Sequence, residues 1–442
     1  MSVAIIGGGW AGLACAIEAV SAGHDVSLFE ASRHWGGRAR AVHTVLPDGT
    51  EWTLDNGQHI LIGAYGETLR LLQKLGVDAA QVLQRRPLDL RFADQSGLVL
   101  GKLPSPLDAL WAIMTAKGWS LADKASLLWV ATQWVLGRFS CGDAVSVATL
   151  CRGLTPRIRL ELIDPLCVSA LNTPAESASG RVFLRVLKDS LFGASGSSNL
   201  LLPRVDLSRL FPSAAIAWLA LRGAQLNLGT RVSSLEYAPE PSGWVVNGQV
   251  FDQVVLATDS VNAVLLLDKV NSGSDQNLVT QIAGWADLAS QLRFEAISTV
   301  YATVPQHQLA APMTALRSNA SFPAQFVFDK GRLGGPQGLL AFVVSASQQS
   351  REDCQQAVLH QALVQLGLHL KPVQTIVEKR ATFACLPNLR RPGSQIANGL
   401  LACGDYIDGP YPATLEGAVR SGIHCAKLLG QPWAQRPALP RR

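Results

Sequence analysis

Val3-Ala4-Ile5-Ile6-Gly7-Gly8-Gly9-Trp10-Ala11-Gly12-Leu13 opens the chain, and the stretch it begins, Val3 to Arg40, decides the fold. Four apolar residues in a row before Gly7 suit a parallel strand buried on both faces. Gly7, Gly9 and Gly12 then follow the spacing G-x-G-x-x-G. In that pattern the first glycine makes a tight turn, the second lets a pyrophosphate approach the backbone, and the third lets the next helix pack closely. The spacing predicts a helix over Leu13 to Ala22, stopped by Gly23, and a second strand over Asp25 to Phe29 ending in Glu30. An acid about twenty residues past the glycines sits where a ribose hydroxyl is held, and favours FAD or NAD over NADP.

Gly36-Gly37-Arg38 follows within a few residues: permissive backbone beside a cation. Near the other end, Gly399 to Cys403 reads as a strand running into Gly404-Asp405. Pro412 is placed at a helix start, and Ala413 to Leu429 reads as a helix with small residues on one face. Taken together, these motifs resemble the flavin amine oxidase and phytoene desaturase superfamily. The resemblance implies FAD, held by Gly7, Gly9, Trp10, Ala11, Gly12 and Glu30, with Gly37 and Arg38 against its pyrophosphate. It places Gly57 beside the flavin ring, the Val232 backbone at the adenine, and Gly404, Asp405, Ala413 and Thr414 in the closing motif, Asp405 at the ribityl phosphate. The positive end of the last helix would then stabilise the negative charge of a reduced flavin.

The fold expected is α/β, a Rossmann-type FAD-binding domain with a discontinuous α+β substrate domain. The FAD-binding domain is assigned residues 1–75, 201–262 and 379–442, and the substrate domain residues 76–200, helical and Trp-rich, and 263–378, mixed sheet and helices. A length of 442 residues supports two cores rather than one.

Only 16% of residues are charged against 48% hydrophobic, an apolar balance that suits a greasy ligand tunnel or a membrane-touching face. A net charge of +5 without runs of Lys or Arg argues against nucleic acid and is compatible with an anionic bilayer surface. Eight scattered cysteines and eight scattered histidines give no zinc spacing, and the thiols read as reduced core residues of a cytosolic protein. No apolar run reaches the length of a spanning helix, and no signal sequence is read at the start. The location expected is cytoplasmic, peripheral on the inner face of the membrane.

Along the chain, strands are expected at Ala39 to Val45 and Glu51 to Leu54 around a Pro47-Asp48-Gly49 turn, then the polar segment Asp55-Asn56-Gly57-Gln58-His59. From Pro104 to Arg138 the pattern is long, helical and rich in tryptophan: Trp111, Trp119, Trp129 and Trp134, with Lys102, Lys117, Lys124 and Arg138 at intervals. That combination fits an interfacial surface, and equally helices packed around a buried cavity. Asp164, Glu161 and Arg159 read as a solvated face, and Tyr301 and Phe326 as core.

Within the superfamily, Gly7 to Leu13, Leu54 to His59, Leu201 to Leu207 and Tyr411 to Gly422 resemble the squalene-associated, FAD-dependent branch, the hydroxysqualene dehydroxylases. The resemblance implies an apolar, hydroxysqualene-like isoprenoid substrate, loss of its hydroxyl by hydride from the flavin, and contact with other squalene-pathway enzymes. A proton must come from somewhere, and His59, Asp55 and Tyr411 are the candidate catalytic residues. A desaturase or oxidase of a carotenoid precursor would use the same fold with hydride flowing the other way. A non-catalytic flavoprotein that presents squalenoids is the reading from another class.

Overall fold

Six strands drawn from both ends and the middle of the chain make the central sheet. The structure is a computed structural model and describes residues 1–431 except 47–48, 102, 104–105, 192, 239–242, 271–274 and 306–307. The expected turn at Pro47-Asp48, Lys102 and Pro104 of the Trp-rich stretch, and Phe192, where a helix read from Ser177 is expected to end, lie outside the described residues. The order across the sheet is Gln225–Leu228, Asp25–Glu30, Ser2–Ile6, Gln253–Leu256, Leu400–Ala402, Gln395–Ala397. The first five run parallel and the last antiparallel. Ser2–Ile6, in the middle, is buried from Val3 onward, as its unbroken apolar run requires.

Helix Trp10–Ser21 begins three residues before the expected Leu13, so the third glycine of the motif lies inside it. It packs along helix Leu415–Leu428, the last of the described chain, so closely that a Cβ on Gly422 would stand 2.2 Å from the Ala11 carbonyl oxygen. Glu416, fully buried, crosses to helix Gly66–Lys74 and accepts from Glu67 N (3.0 Å), Thr68 N (2.9 Å) and Thr68 Oγ1 (2.7 Å). A carboxylate from the end of the chain thus caps a helix near its beginning, where the first-turn N–H groups have no helical acceptor.

The second large sheet is antiparallel, in the order Met313–Ala315, Phe326–Asp329, Leu339–Ser345, Phe294–Thr303, Lys371–Phe383. Alternation along Phe294–Thr303 gives it two different neighbours. Val300 joins Phe342, Val358 and Ala362 under helix Arg351–Leu366. Tyr301 faces the other way into the main core. Lys371–Phe383 is the longest strand described, and helix Gln276–Ser290 was not anticipated.

Helices Leu107–Thr115 and Leu121–Leu136 occupy the Trp-rich stretch. Beyond them come shorter helices, Val147–Leu150, Pro156–Ile158 and Asp164–Leu171, the last two joined through a π-turn at Arg159–Ile163. Pro165 sits in the first turn of the last of these, a position proline tolerates. All eight cysteines are free, and seven are buried. Among the described residues no helix is long and apolar enough to cross a membrane, and no group of side chains could hold a metal ion.

Candidate flavin site

The turn after Ser2–Ile6 leaves no choice of residue. Gly7 has φ +119°, and a Cβ there would stand 2.5 Å from the Ala257 carbonyl oxygen; one on Gly12 would stand 1.9 Å from the Gly7 oxygen. Gly9 is different: its Cβ position is open, with only the Gly37 Cα near, at 3.8 Å. The two glycines therefore pack backbone to backbone, and a Cβ on Gly37 would stand 3.1 Å from the Gly9 Cα. Helix Trp10–Ser21 starts there with no side-chain cap and no acid in its first turn. Its first N–H groups are donors for an anion. The Trp10 side chain turns away, its indole N–H on the Ala39 oxygen (3.1 Å) and its ring 4.7 Å from that of Phe211.

Glu30 closes the loop by accepting from Gly8 N and Ser32 N, both at 2.8 Å. Two bonds leave a carboxylate with further acceptor positions, enough for a ribose hydroxyl. Arg38 and Asp405, read from opposite ends of the sequence, form an ion pair at 2.6 Å. The Asp405 carbonyl accepts from Ala413 N (3.1 Å), so the strand end and the approach to the last helix are one unit. That helix is capped by Thr414, whose hydroxyl accepts from Gly417 N. Pro412 is not at the helix start but two residues before the cap, between Tyr411 and Ala413, which both have positive φ (58° and 59°).

Asp55 to His59 lie beside the second sheet. Asp55 is 3% exposed; its Oδ1 accepts from Leu207 N (2.8 Å), its Oδ2 lies 3.5 Å from Lys330 Nζ, and its carbonyl accepts from Tyr301 OH (2.9 Å). Burial raises its pKa, opposed by Lys330. His59 donates from Nδ1 to the Gly57 oxygen at 2.7 Å, since a carbonyl can only accept. Its Nε2 therefore carries the lone pair, and burial holds the imidazole below the ordinary histidine pKa, against the Gly57 bond. Tyr411 stands apart from this pair. Its ring meets Tyr65 edge-on, and burial, then Asp189, push its phenol up to about 12.

Two residues were not anticipated. Lys330 is 8% exposed and donates to Gln58 Oε1 (3.1 Å) as well as facing Asp55. Its sequence signal was a cation two residues past the apolar run Phe326-Val327-Phe328. Thr299 is 1% exposed, its hydroxyl has no partner, and a Cβ on Gly57 would lie 3.9 Å from it. The hydroxyls of Ser260 and Tyr406 are likewise buried and unpartnered. Ser260 begins the helix after strand Gln253–Leu256, and Tyr406 follows Asp405 by one residue. Buried polar atoms are normally satisfied. The uncapped first turn of helix Trp10–Ser21, the spare acceptor positions of Glu30 and the Arg38–Asp405 pair fit a polar, elongated ligand with a pyrophosphate. Val232 lies in a loop ahead of strand Leu235–Ala238, half-buried against the core.

Elsewhere in the fold lies an apolar cavity of about 100 Å³, part of it open to solvent, with no polar residue among those lining it. Ala109, Ile113, Leu127, Ala131 and Trp134 form one wall, and Leu187 and Leu191 another. The helix Gly180–Leu191 that carries the latter pair also carries Asp189, the partner of Tyr411. The four tryptophans divide: Trp119 and Trp134 are buried, at 7% and 9% exposure, whereas Trp111 and Trp129 are 58% and 65% exposed. Glu161, expected on a solvated face, accepts from the Trp119 indole at 3.1 Å.

Comparison with known proteins agrees with this geometry. A hydroxysqualene dehydroxylase of Rhodopseudomonas palustris is 28% identical, over 97% of this chain and 98% of its own. A zeta-carotene desaturase of Synechocystis is 34% identical over 28% of this chain and 25% of its own. The crystal structure of an oxidoreductase from Methanosarcina mazei superposes with a TM-score of 0.70 at 16% identity, covering 97% of this chain and all of that one, which shows the fold. Residues 10–429 match the family described as flavin containing amine oxidoreductase. The chain belongs to that family, and it is an FAD-dependent oxidoreductase.

Proposed function

We propose that the enzyme removes the hydroxyl group of hydroxysqualene reductively to give squalene. The observation that carries this is the chamber of wholly apolar lining, fitted to a hydrocarbon and hostile to an amine, which would arrive charged. The dehydroxylase of R. palustris, alike over nearly the whole chain, supports the same reading.

Reduced FAD supplies the hydride that replaces the hydroxyl on carbon. The chain must do the rest: hold the flavin through the Gly7–Gly12 loop, Glu30, Arg38 and Asp405, keep water out, and deliver one proton so that oxygen leaves as water. Of the three proton-donor candidates, Asp55 is engaged by Leu207 and Lys330, and Tyr411 by Asp189. His59 alone keeps a free ring nitrogen. It is assigned the donor role, loaded with a proton from solution and passing it from Nε2 to the departing oxygen.

The test is anaerobic incubation of the flavin-reduced protein with hydroxysqualene. Reoxidation of the flavin with formation of squalene is expected. A flavin that stays reduced, while the oxidised enzyme bleaches with a polyene precursor, replaces this reading with a desaturase, the activity named for the Synechocystis relative.

A further inference from the structure

We propose that the outward faces of helices Leu107–Thr115 and Leu121–Leu136 dock on an anionic phospholipid bilayer and admit the substrate from it. On the first helix Leu107, Leu110, Trp111 and Met114 recur every three or four residues and are all about half exposed. On the second, Leu121, Trp129 and Leu136 are 83%, 65% and 78% exposed, with exposed Ala125 and Thr132 between them. The spacing 121, 125, 129, 132, 136 is a single helical face. Scattered exposed leucines are ordinary, but two such stripes on successive helices mark an interaction surface, and tryptophan belongs at headgroup depth.

Charge selects the partner. Among the described residues from Leu103 to Arg138 there are two acids, and both are buried. Asp108 accepts from Ala109 N; Asp123 is held by Ser120 in a capping box and by the Thr155 hydroxyl. What remains outside is Lys117, Arg138 and the half-buried Lys124, so every exposed charge on this stretch is positive. A two-fold contact between copies would set those cations against one another, whereas anionic headgroups attract each of them.

The inner faces of the same helices wall the apolar chamber through Ala109, Ile113, Leu127, Ala131 and Trp134. One helix thickness, about 10 Å, separates bilayer from chamber. Entry from the membrane rests on the isoprenoid reading above; docking does not.

The experiment is co-sedimentation of the FAD-loaded full chain with vesicles of phosphatidylcholine, alone or mixed with phosphatidylglycerol. Binding to the mixed vesicles, weakened by salt, is expected. It should fall roughly tenfold or more in Trp111→Ser/Trp129→Ser and roughly tenfold in Lys117→Ser/Arg138→Ser. All four side chains are exposed, and flavin content and melting temperature check each variant independently. Failure of the wild type to bind, or equal binding by both variants, overturns the proposal. So does a lipid-free dimer that the tryptophan variant converts to monomer, which would make the face a contact between copies. The docking variants should also lose turnover of substrate in vesicles but keep it in detergent. Docking without turnover in either medium would instead count against the substrate reading.

Discussion

At the scale of single residues, His59 carries the clearest chemical consequence. Its Nδ1–H is fixed on the Gly57 carbonyl, and burial depresses its pKa, so near neutral pH the ring is uncharged. A proton donor must first be protonated, and the protonated fraction falls about tenfold per pH unit above the pKa. Dehydroxylation should therefore slow with that slope from about pH 7 to 9 and level off only in acid, and His59→Gln should flatten the profile as well as lower it. A wild-type rate independent of pH over that range would remove His59 from the role. The residues around it show what sequence could and could not reveal. Gly7 and Gly12 were legible because the turn admits no side chain there, and Arg38 and Asp405, read from two separate motifs, meet in an ion pair. Thr299 was not, since a threonine in a strand reads as ordinary β-propensity. Only the fold, by bringing Phe294–Thr303 against Asp55 to Gly57, makes its hydroxyl an orphan.

At the scale of elements, two helices are held by groups whose removal should act in opposite directions. Glu416 caps helix Gly66–Lys74 through two N–H groups and the Thr68 hydroxyl, and pairs with Arg420 at 2.7 Å. Glu416→Ala would leave those donors buried and unpaired, at a cost of about 3 kcal/mol in denaturant unfolding; a loss below roughly 1 kcal/mol would mean that water replaces the carboxylate. Asp164, opening helix Asp164–Leu171, has a buried Oδ1 without a partner, and burial, then Glu176, raise its pKa to about 6. A raised carboxyl pKa favours the folded state below the unfolded value, near 4, and that advantage is lost as pH rises through about 6. Asp164→Asn should accordingly melt above the wild type at pH 8 and no higher at pH 4; equal melting at both would show that the carboxylate is solvated. Neither interaction was readable beforehand. Glu416 lay in a recognised motif but its partner is 348 residues away, and Asp164 looked like one more polar residue on a helix. The first and last helices were legible from glycine spacing, periodicity and caps, with ends displaced by a few residues, as where Thr414 caps the last one, whereas Gln276–Ser290 was missed.

At the scale of the whole molecule, the proposed flavin site is a meeting place of distant segments. Its sheet takes strands from Ser2 to Ala402, and the Arg38–Asp405 pair and the Glu416 cap both join the first eighty residues to the last forty. A ligand held by both ends of a chain binds the folded state and not the unfolded one, so it stabilises the fold by mass action. Free FAD at a hundred times its dissociation constant adds about 2.7 kcal/mol. For 442 residues, with an unfolding entropy near 0.9 kcal/mol/K, this raises the melting temperature by about 3 °C. The second sheet holds Asp55 through Tyr301 and sets Thr299 beside Gly57, the residue expected next to the flavin, so flavin release and loss of sheet should occur together. Following flavin fluorescence and far-UV circular dichroism in one heating ramp tests this. Coincident transitions, both moved upward by added FAD, are expected. Release of flavin well before the sheet melts would mean that the site opens locally, with the two ends of the chain parting while each domain stays folded.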